Sequence, residues 1–182
     1  MKNLLEETEK WIKKGPNVLH LRRTGYWVKK MDPDVDEAVL IAALTHDMDR
    51  AFAGPDEIKF PSGLSQKKYN ELYKKHGLRA ARIVGEFLEE KGVDKKFISK
   101  VKKLIEKHEF GGTDEENLVK DADSLSFLEN NISVFIGFIP KSRDKKDIER
   151  KFEYMFNRIS SPKAKQMAKS FYEKAKVELE KV

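Results

Sequence analysis

There is no cysteine among the 182 residues. Its absence excludes disulfides, cysteine-ligated zinc and iron–sulfur clusters, so any bound metal must be held by imidazole nitrogen and carboxylate oxygen. Long apolar runs are missing too. No run approaches the ~18 residues of a membrane span, and the start, Met1-Lys2-Asn3-Leu4-Leu5-Glu6-Glu7, has no apolar signal region. The expectation is therefore a cytoplasmic protein with no membrane partner. Internal repeats, linkers and strand-turn-strand patterns are also absent. Histidine is scarce: His20, His46, His76 and His108 are all there is.

What is present points to a well-packed, very polar globule. Hydrophobic residues make up 39% and charged residues 37%, which fits one domain with a real core and a solvated surface. The net charge of +6 is unevenly placed. Residues 1–140 carry 24 Lys and Arg against 24 Asp and Glu, whereas residues 141–182 carry 13 against 7. With acidic residues interleaved at helical spacing, the basic tail reads as a solvated helical face. No nucleic-acid-binding motif accompanies it, so nucleic acid is not an expected partner. Whether the tail supports a homo-oligomer stays open.

Nearly every segment has helical periodicity. Helices are expected over 3–14, 17–31, 36–47, 65–90, 94–109, 113–130, 144–158 and 162–181; residues 132–139 fit helix or strand by periodicity alone, and the helical surroundings favour helix. Gly15-Pro16, Pro33, Gly92, Gly111-Gly112 and Pro140 separate several of them. Residues 51–64, with Gly54-Pro55 and Pro61-Ser62-Gly63, form the longest stretch with loop chemistry. The fold class is all-α, with residues 1–140 as the main helical domain and 141–182 as a helical extension packed on it.

The chain's centre is Val39-Leu40-Ile41-Ala42-Ala43-Leu44-Thr45-His46-Asp47, an apolar helix that ends on an adjacent histidine and aspartate. Neighbouring helical positions differ by about 100°, yet both side chains can reach one point in a pocket. The other three histidines each fall on a different expected helix, the distribution a bundle needs to build a metal site from facing elements. A matching acid lies in Lys120-Asp121-Ala122-Asp123-Ser124-Leu125, where two carboxylates interrupt an apolar helix and need a cationic partner or metal to offset desolvation.

The order His20, His46-Asp47, His76, His108 and Ala122-Asp123-Ser124-Leu125 resembles the HD-domain superfamily of metal-dependent phosphohydrolases, in its two-metal variant. The resemblance covers about residues 17–128 and leaves the tail outside. It implies an HD-domain-like helical bundle in which His20, His46, Asp47 and Asp123 hold one divalent ion. His76 and His108 would hold a second, bridged by Asp47, with manganese or iron as the expected metals and one or two ions per chain. Two lines of reasoning compete for the last ligand. The Ala-Asp-x-Leu match selects Asp123, while the stripe of Leu118, Leu125 and Leu128 selects Asp121. Residues two apart diverge by about 200°, so both are not expected on one ion; Asp123 is preferred, leaving Asp121 as a solvent-exposed or supporting acid.

Arginines at helical spacing from the histidines extend the pattern. Arg23 follows His20 by three, Arg79 follows His76 by three and Arg50 follows His46 by four, which places each on its histidine's face if the helix continues. Guanidinium groups match phosphate oxygens. Arg23, Arg50, Arg79 and the loop residue Lys59 are therefore the candidate substrate contacts, with Asp47 and Arg50 the candidate catalytic groups. Arg50 stands where many members of the superfamily carry a lysine. Asn17 departs from the arginine that many of them place before the first histidine, so their substrate specificity does not carry over. The expected function is hydrolysis of a phosphate ester or anhydride in a small substrate, a nucleotide foremost, by a metal-activated water, with loop 51–64, including Phe52 and Lys59, as a lid. Two alternatives keep the same residues: a di-iron oxygenase of the same fold, and a non-catalytic ligand-binding domain.

Overall fold

The computed structural model describes residues 4–139 and 141–182, and these form helices with no strand among them. Pro140, expected to end the seventh helix, lies outside the described residues. The helices are α1 Leu4–Trp11, α2 Val18–Met31, α3 Glu37–Thr45, α4 Gln66–Glu90, α5 Lys95–Lys107, α6 Asp114–Asn130, α7 Ile132–Ile136, α8 Lys145–Asn157 and α9 Pro162–Glu180. None is long and apolar enough to cross a membrane.

Local chemistry accounts for the starts. Asp36, Ser65, Asp94, Asp144 and Ser161 each accept a hydrogen bond from a backbone N–H in the first turn of the helix that follows. Thr113 and Glu116 form a reciprocal capping box at α6. Pro162 stands in the first turn of α9, where its missing N–H costs nothing.

Two helices are buried nearly all round and form the centre. In α3 every residue from Ala38 to Thr45 is buried, and in α6 every residue from Val119 to Leu128 is. A helix without a polar face must be enclosed on all sides, and the others do this. α2 runs along α6, α4 along α5, and α3 packs against α2, α5 and α6. α8 and α9 pack on α6 and on each other. Ile148, Phe152 and Met155 of α8 enter the core, as do Ala164, Ala168, Ala175 and Leu179 of α9. The basic residues of the tail lie mostly on the outer faces of helices whose inner faces are core.

Two close approaches set the distances between the helices that bear histidines. A Cβ on Gly25 of α2 would lie 2.8 Å from Leu44 Cδ2 of α3. One on Gly77 of α4 would lie 3.1 Å from the Glu106 carbonyl oxygen and 3.3 Å from that of Ile105, both on α5. Glycine at these positions lets α2 meet α3, and α4 meet α5, at close range. His20 and His46 are carried on the first pair, His76 and His108 on the second.

Candidate metal centre

The helical expectation for His46-Asp47 needs a correction. α3 stops at Thr45; His46 caps it, and Asp47 leaves helical geometry before a 3₁₀ turn over Met48–Ala51. The turn swings Asp47 and Arg50 together, so Arg50 Nε donates to Asp47 Oδ2 at 2.8 Å and does not stack over His46 as a continuing helix would require.

All four imidazoles converge. His46 lies 5.3 Å from His20 and 5.0 Å from His108, ring centre to ring centre, and His76 lies 5.3 Å from His108. His20 Nε2 is 3.1 Å from Asp123 Oδ1, His46 Nε2 is 3.5 Å from the same oxygen, and His76 Nε2 is 2.8 Å from Asp47 Oδ1. Four overlapping groups have ligand atoms close enough to share an ion: His20, His46 and Asp123; His46, Asp47 and His108; Asp47, Asp49 and His76; and His76, His108 and Glu109.

The outer nitrogen of each ring is held by the protein. His46 Nδ1 donates to the Ala43 carbonyl at 2.9 Å and His108 Nδ1 to the Ile105 carbonyl at 2.6 Å. His20 Nδ1 donates to Ser126 Oγ, whose own proton goes to the His20 carbonyl, both at 2.8 Å. His76 Nδ1 donates to Asp49 Oδ2 at 2.8 Å. A ring whose Nδ1 carries the proton presents Nε2 as a lone pair, which is how proteins orient metal-binding imidazoles. His46 and His108 are completely or almost completely buried, and their Nε2 atoms have no hydrogen-bond partner. Two buried, unsatisfied lone pairs aimed at carboxylates are costly in a finished core. Divalent cations among these groups would satisfy both, and the donor set of nitrogen and oxygen suits manganese, iron or zinc.

Without a metal, the carboxylates of the cluster draw protons to two of its rings: burial opposes a charge on His46, but Asp123 and Asp47 hold it above the ordinary imidazole value. Burial raises the Asp47 carboxyl, but Arg50, His76 and His46 together hold it well below the usual carboxylate range. Burial likewise opposes ionisation of Asp123, and Arg158, His46 and His20 outweigh it. Burial pushes the His108 imidazole down to about 4. His76 is pushed down by burial and by Arg50, yet its bonds to Asp47 and Asp49 carry it up to about 9.

The structure separates the two aspartates of α6. Asp123 faces His20 and His46. Asp121 faces the opposite side, where it accepts from the backbone N–H groups of Ser160 at 2.9 Å and Ser161 at 2.8 Å at the start of α9. It is 2% exposed, so of the two roles expected for it, solvent-exposed or supporting, the solvent-exposed one is excluded: the tail covers that face and uses the carboxylate as an acceptor.

Three of the four candidate substrate contacts lie elsewhere. Arg23 forms a two-pronged ion pair with Glu129 at 2.8 and 2.7 Å, tying α2 to the end of α6. Arg79 is buried beneath the 3₁₀ turn, donating to the carbonyls of Asp49 at 2.6 Å and Phe52 at 2.7 Å. Lys59 is exposed and does not line the cavity. Helical spacing gave the right face for Arg79 but not its depth. Of the set, Arg50 lines the cavity, a cleft of about 300 Å³ whose floor includes His20, Asp47 and Asp123. In loop 51–64, Phe60 lines the cleft, whereas Phe52 packs on Trp11 at 5.9 Å.

Arg158 was invisible to spacing rules. It comes from the end of α8 and donates from one terminal nitrogen to Asp123, from the other to Glu109, and from Nε to Ser124 Oγ at 2.8 Å. The resemblance to a known superfamily stopped short of the tail, and a lone arginine among many basic residues carries no signal. Asp49 and Glu109 were findable: one stands two residues after Asp47, the other directly after His108. A family model for a domain of unknown function, DUF4202, matches residues 5–181. The chain belongs to the DUF4202 family. No curated protein and no solved structure matches this DUF4202 chain. The match runs through both the four-histidine cluster and the helices that bring Arg158, so the DUF4202 unit takes in the tail as well as the bundle.

Proposed function

We propose that this DUF4202 protein is a metal-dependent phosphohydrolase with an HD-domain-like helical bundle, acting on a phosphate ester or anhydride in a small substrate, a nucleotide foremost. The observation that carries the proposal is the convergence of four imidazoles with Asp47 and Asp123, two of the imidazoles ending in buried unpartnered Nε2 atoms, beside a cleft that His20, Asp47, Asp123 and Arg50 line. His20, His46 and Asp123 would hold one divalent ion; His76 and His108 would hold another, with Asp47 in reach of both pairs. When bound, such ions supply Lewis acidity and lower the pKa of coordinated water toward neutrality.

The chain's own residues supply the rest. Ser126, Asp49 and the carbonyls of Ala43 and Ile105 fix the four rings. Asp47 orients the attacking water. Arg50, held by Asp47, sets its charge against phosphoryl oxygens as negative charge builds on them. The buried floor keeps bulk water from screening these charges.

Elemental analysis of anaerobically purified protein, beside the double variant His76→Ala/His108→Ala, is the deciding experiment. About two equivalents of manganese or iron in the wild type, one in the variant, and hydrolysis of a nucleotide panel lost in His46→Ala are expected. No metal after addition of manganese or iron would sink the proposal. Iron with oxygen consumption and no phosphate release would redirect it to the oxygenase alternative.

A further inference from the structure

The wall of the cleft opposite its floor comes from segments far along the chain, including Phe135 and Phe138 around α7 and Lys151 and Tyr154 of α8. Lys151 is enclosed by rings. Its Nζ is 4.8 Å from the ring centre of Tyr73, 5.3 Å from Tyr154 and 5.5 Å from Phe127, and it donates to the Tyr73 hydroxyl at 3.3 Å. Tyr73 and Tyr154 are themselves stacked, 5.2 Å apart and 13° from parallel.

Among the described residues no carboxylate comes within ion-pair distance of Lys151; three of the other cations nearby are ion-paired, and Arg143, which also lines the cleft, donates to the Phe60 carbonyl. Arg50 is paired with Asp47, Arg150 with Asp147 and Arg158 with Asp123 and Glu109. Burial pushes the Lys151 ammonium below the usual lysine range, a cost the charge of Glu109 opposes. Aromatic faces stabilise such a cation only partly. An anion in the cleft would complete it.

The α7 side has the opposite character. Val134 is 56% exposed and Phe138 37%, and both line the cleft with Phe135. Apolar side chains turned to an open cleft contribute little to folding, but they gain when a ligand covers them. A cleft of about 300 Å³ is at the small end for small-molecule sites, and has room for a phosphate with its organic group.

We infer that Lys151 anchors the substrate's phosphoryl group and that the substrate is a phosphomonoester whose flat, apolar organic part lies along Phe135 and Phe138, a nucleoside 5′-monophosphate rather than a bare or sugar phosphate. The inference rests on the phosphohydrolase proposal and sharpens it.

The test is calorimetric binding to full-length, manganese-loaded protein of two non-hydrolysable probes. One is the phosphonate analogue of adenosine 5′-monophosphate; the other is methylphosphonate, the bare anion. The nucleoside probe should bind at least about tenfold more tightly than methylphosphonate, and Lys151→Met should weaken both about tenfold, the scale of a charged hydrogen bond. Lys151→Arg should recover most of the loss. Phe138→Ser should weaken the nucleoside probe alone. Metal content equal to wild type in each variant shows that the floor is intact. Unchanged binding in Lys151→Met would overturn the anchor, and equal affinity for the two probes would overturn the assignment of the organic part; neither result touches the phosphohydrolase proposal. A metal-loaded wild type that binds neither probe and hydrolyses no phosphate ester would overturn both.

Discussion

Arg158 pairs with two buried carboxylates, Asp123 and Glu109. Replacing it with Met would leave Asp123 and Glu109 without their shared cation in the metal-free protein, and removal of one member of such a buried network costs about 3–5 kcal/mol. Urea unfolding in chelator should show a loss of that order for Arg158→Met. Arg23→Met is the contrast, since its pair with Glu129 is 28% and 21% exposed and should be worth about 1 kcal/mol or less. Histidine protonation makes a second prediction, for the metal-free protein across pH. His108 is held down to about 4 in the folded state against an ordinary 6.5. The unfolded chain takes up that proton first, so stability present above pH 6.5 is lost as the pH falls toward 4. Asp47 and Asp123, both held well below the usual 3.8, act in the same direction, with their loss below that value. His76 acts in the other. Its folded value is raised to about 9 from 6.5, so its contribution is complete below pH 6.5 and disappears as the pH rises through 9. Melting temperature in chelator should therefore fall on both sides of roughly neutral pH, and His76→Gln should flatten the alkaline limb. A profile level from pH 7 to 10 in the wild type would contradict the proton on His76.

The crossing of α4 over α5 decides whether His76 and His108 meet. A Cβ added to Gly77 would stand 3.1 and 3.3 Å from backbone carbonyl oxygens of α5, and a backbone atom has no rotamer by which to yield. Gly77→Ala should therefore lose stability by about 1–2 kcal/mol despite alanine's better helix propensity, and should lower metal content toward one equivalent by spreading the two histidines. Gly85 on the same helix is the control. A Cβ there meets only the Lys102 side chain, nearest at Cδ, 2.9 Å, which can swing aside, so Gly85→Ala should be neutral or stabilising by up to about 1 kcal/mol. Helix boundaries of this kind were readable in advance because caps, glycines and prolines act locally: Ser65, Thr113 and Pro162 stand where their helices begin. The end of α3 was not readable to the residue, because the 3₁₀ turn that brings Asp47 to Arg50 is held by Arg79 from α4, a contact made 30 positions away. The choice between Asp121 and Asp123 was beyond periodicity for a related reason. α6 is buried on every face from Val119 to Leu128, so its apolar stripe marks no single inward direction, and only the packing of α9 shows which carboxylate serves which side.

A charge-rich tail read from composition as a solvated face is here one wall of the cleft. Its outer faces do carry the excess lysine, but α8 and α9 cover α6, and Arg158, Lys151 and Tyr154 project from the α8 segment toward the centre or the cleft. The backbone N–H groups of Ser160 and Ser161 close on Asp121, and Asp147 accepts from the Gly63 N–H at 2.9 Å, joining the tail to loop 51–64 as well. Composition cannot register this because inward and outward residues of an amphipathic helix are counted together. Removing residues 141–182 would uncover the face of α6 on which α8 and α9 pack, including Phe127, which meets Phe152 of α8, and would leave Asp121 without its donors and Asp123 without Arg158. The tail should then be part of the folding unit. Thermal unfolding of the full chain should be one transition, with far-ultraviolet and near-ultraviolet dichroism coinciding and amides of α8 and α9 exchanging with the same free energy as those of α6. A chain ending at residue 139 should fail that test, showing helical dichroism without a cooperative melt and binding a hydrophobic dye. Independent, earlier exchange of α8 and α9 in the full chain would instead make the tail a separable cover, and Arg158 a group that comes and goes from Asp123.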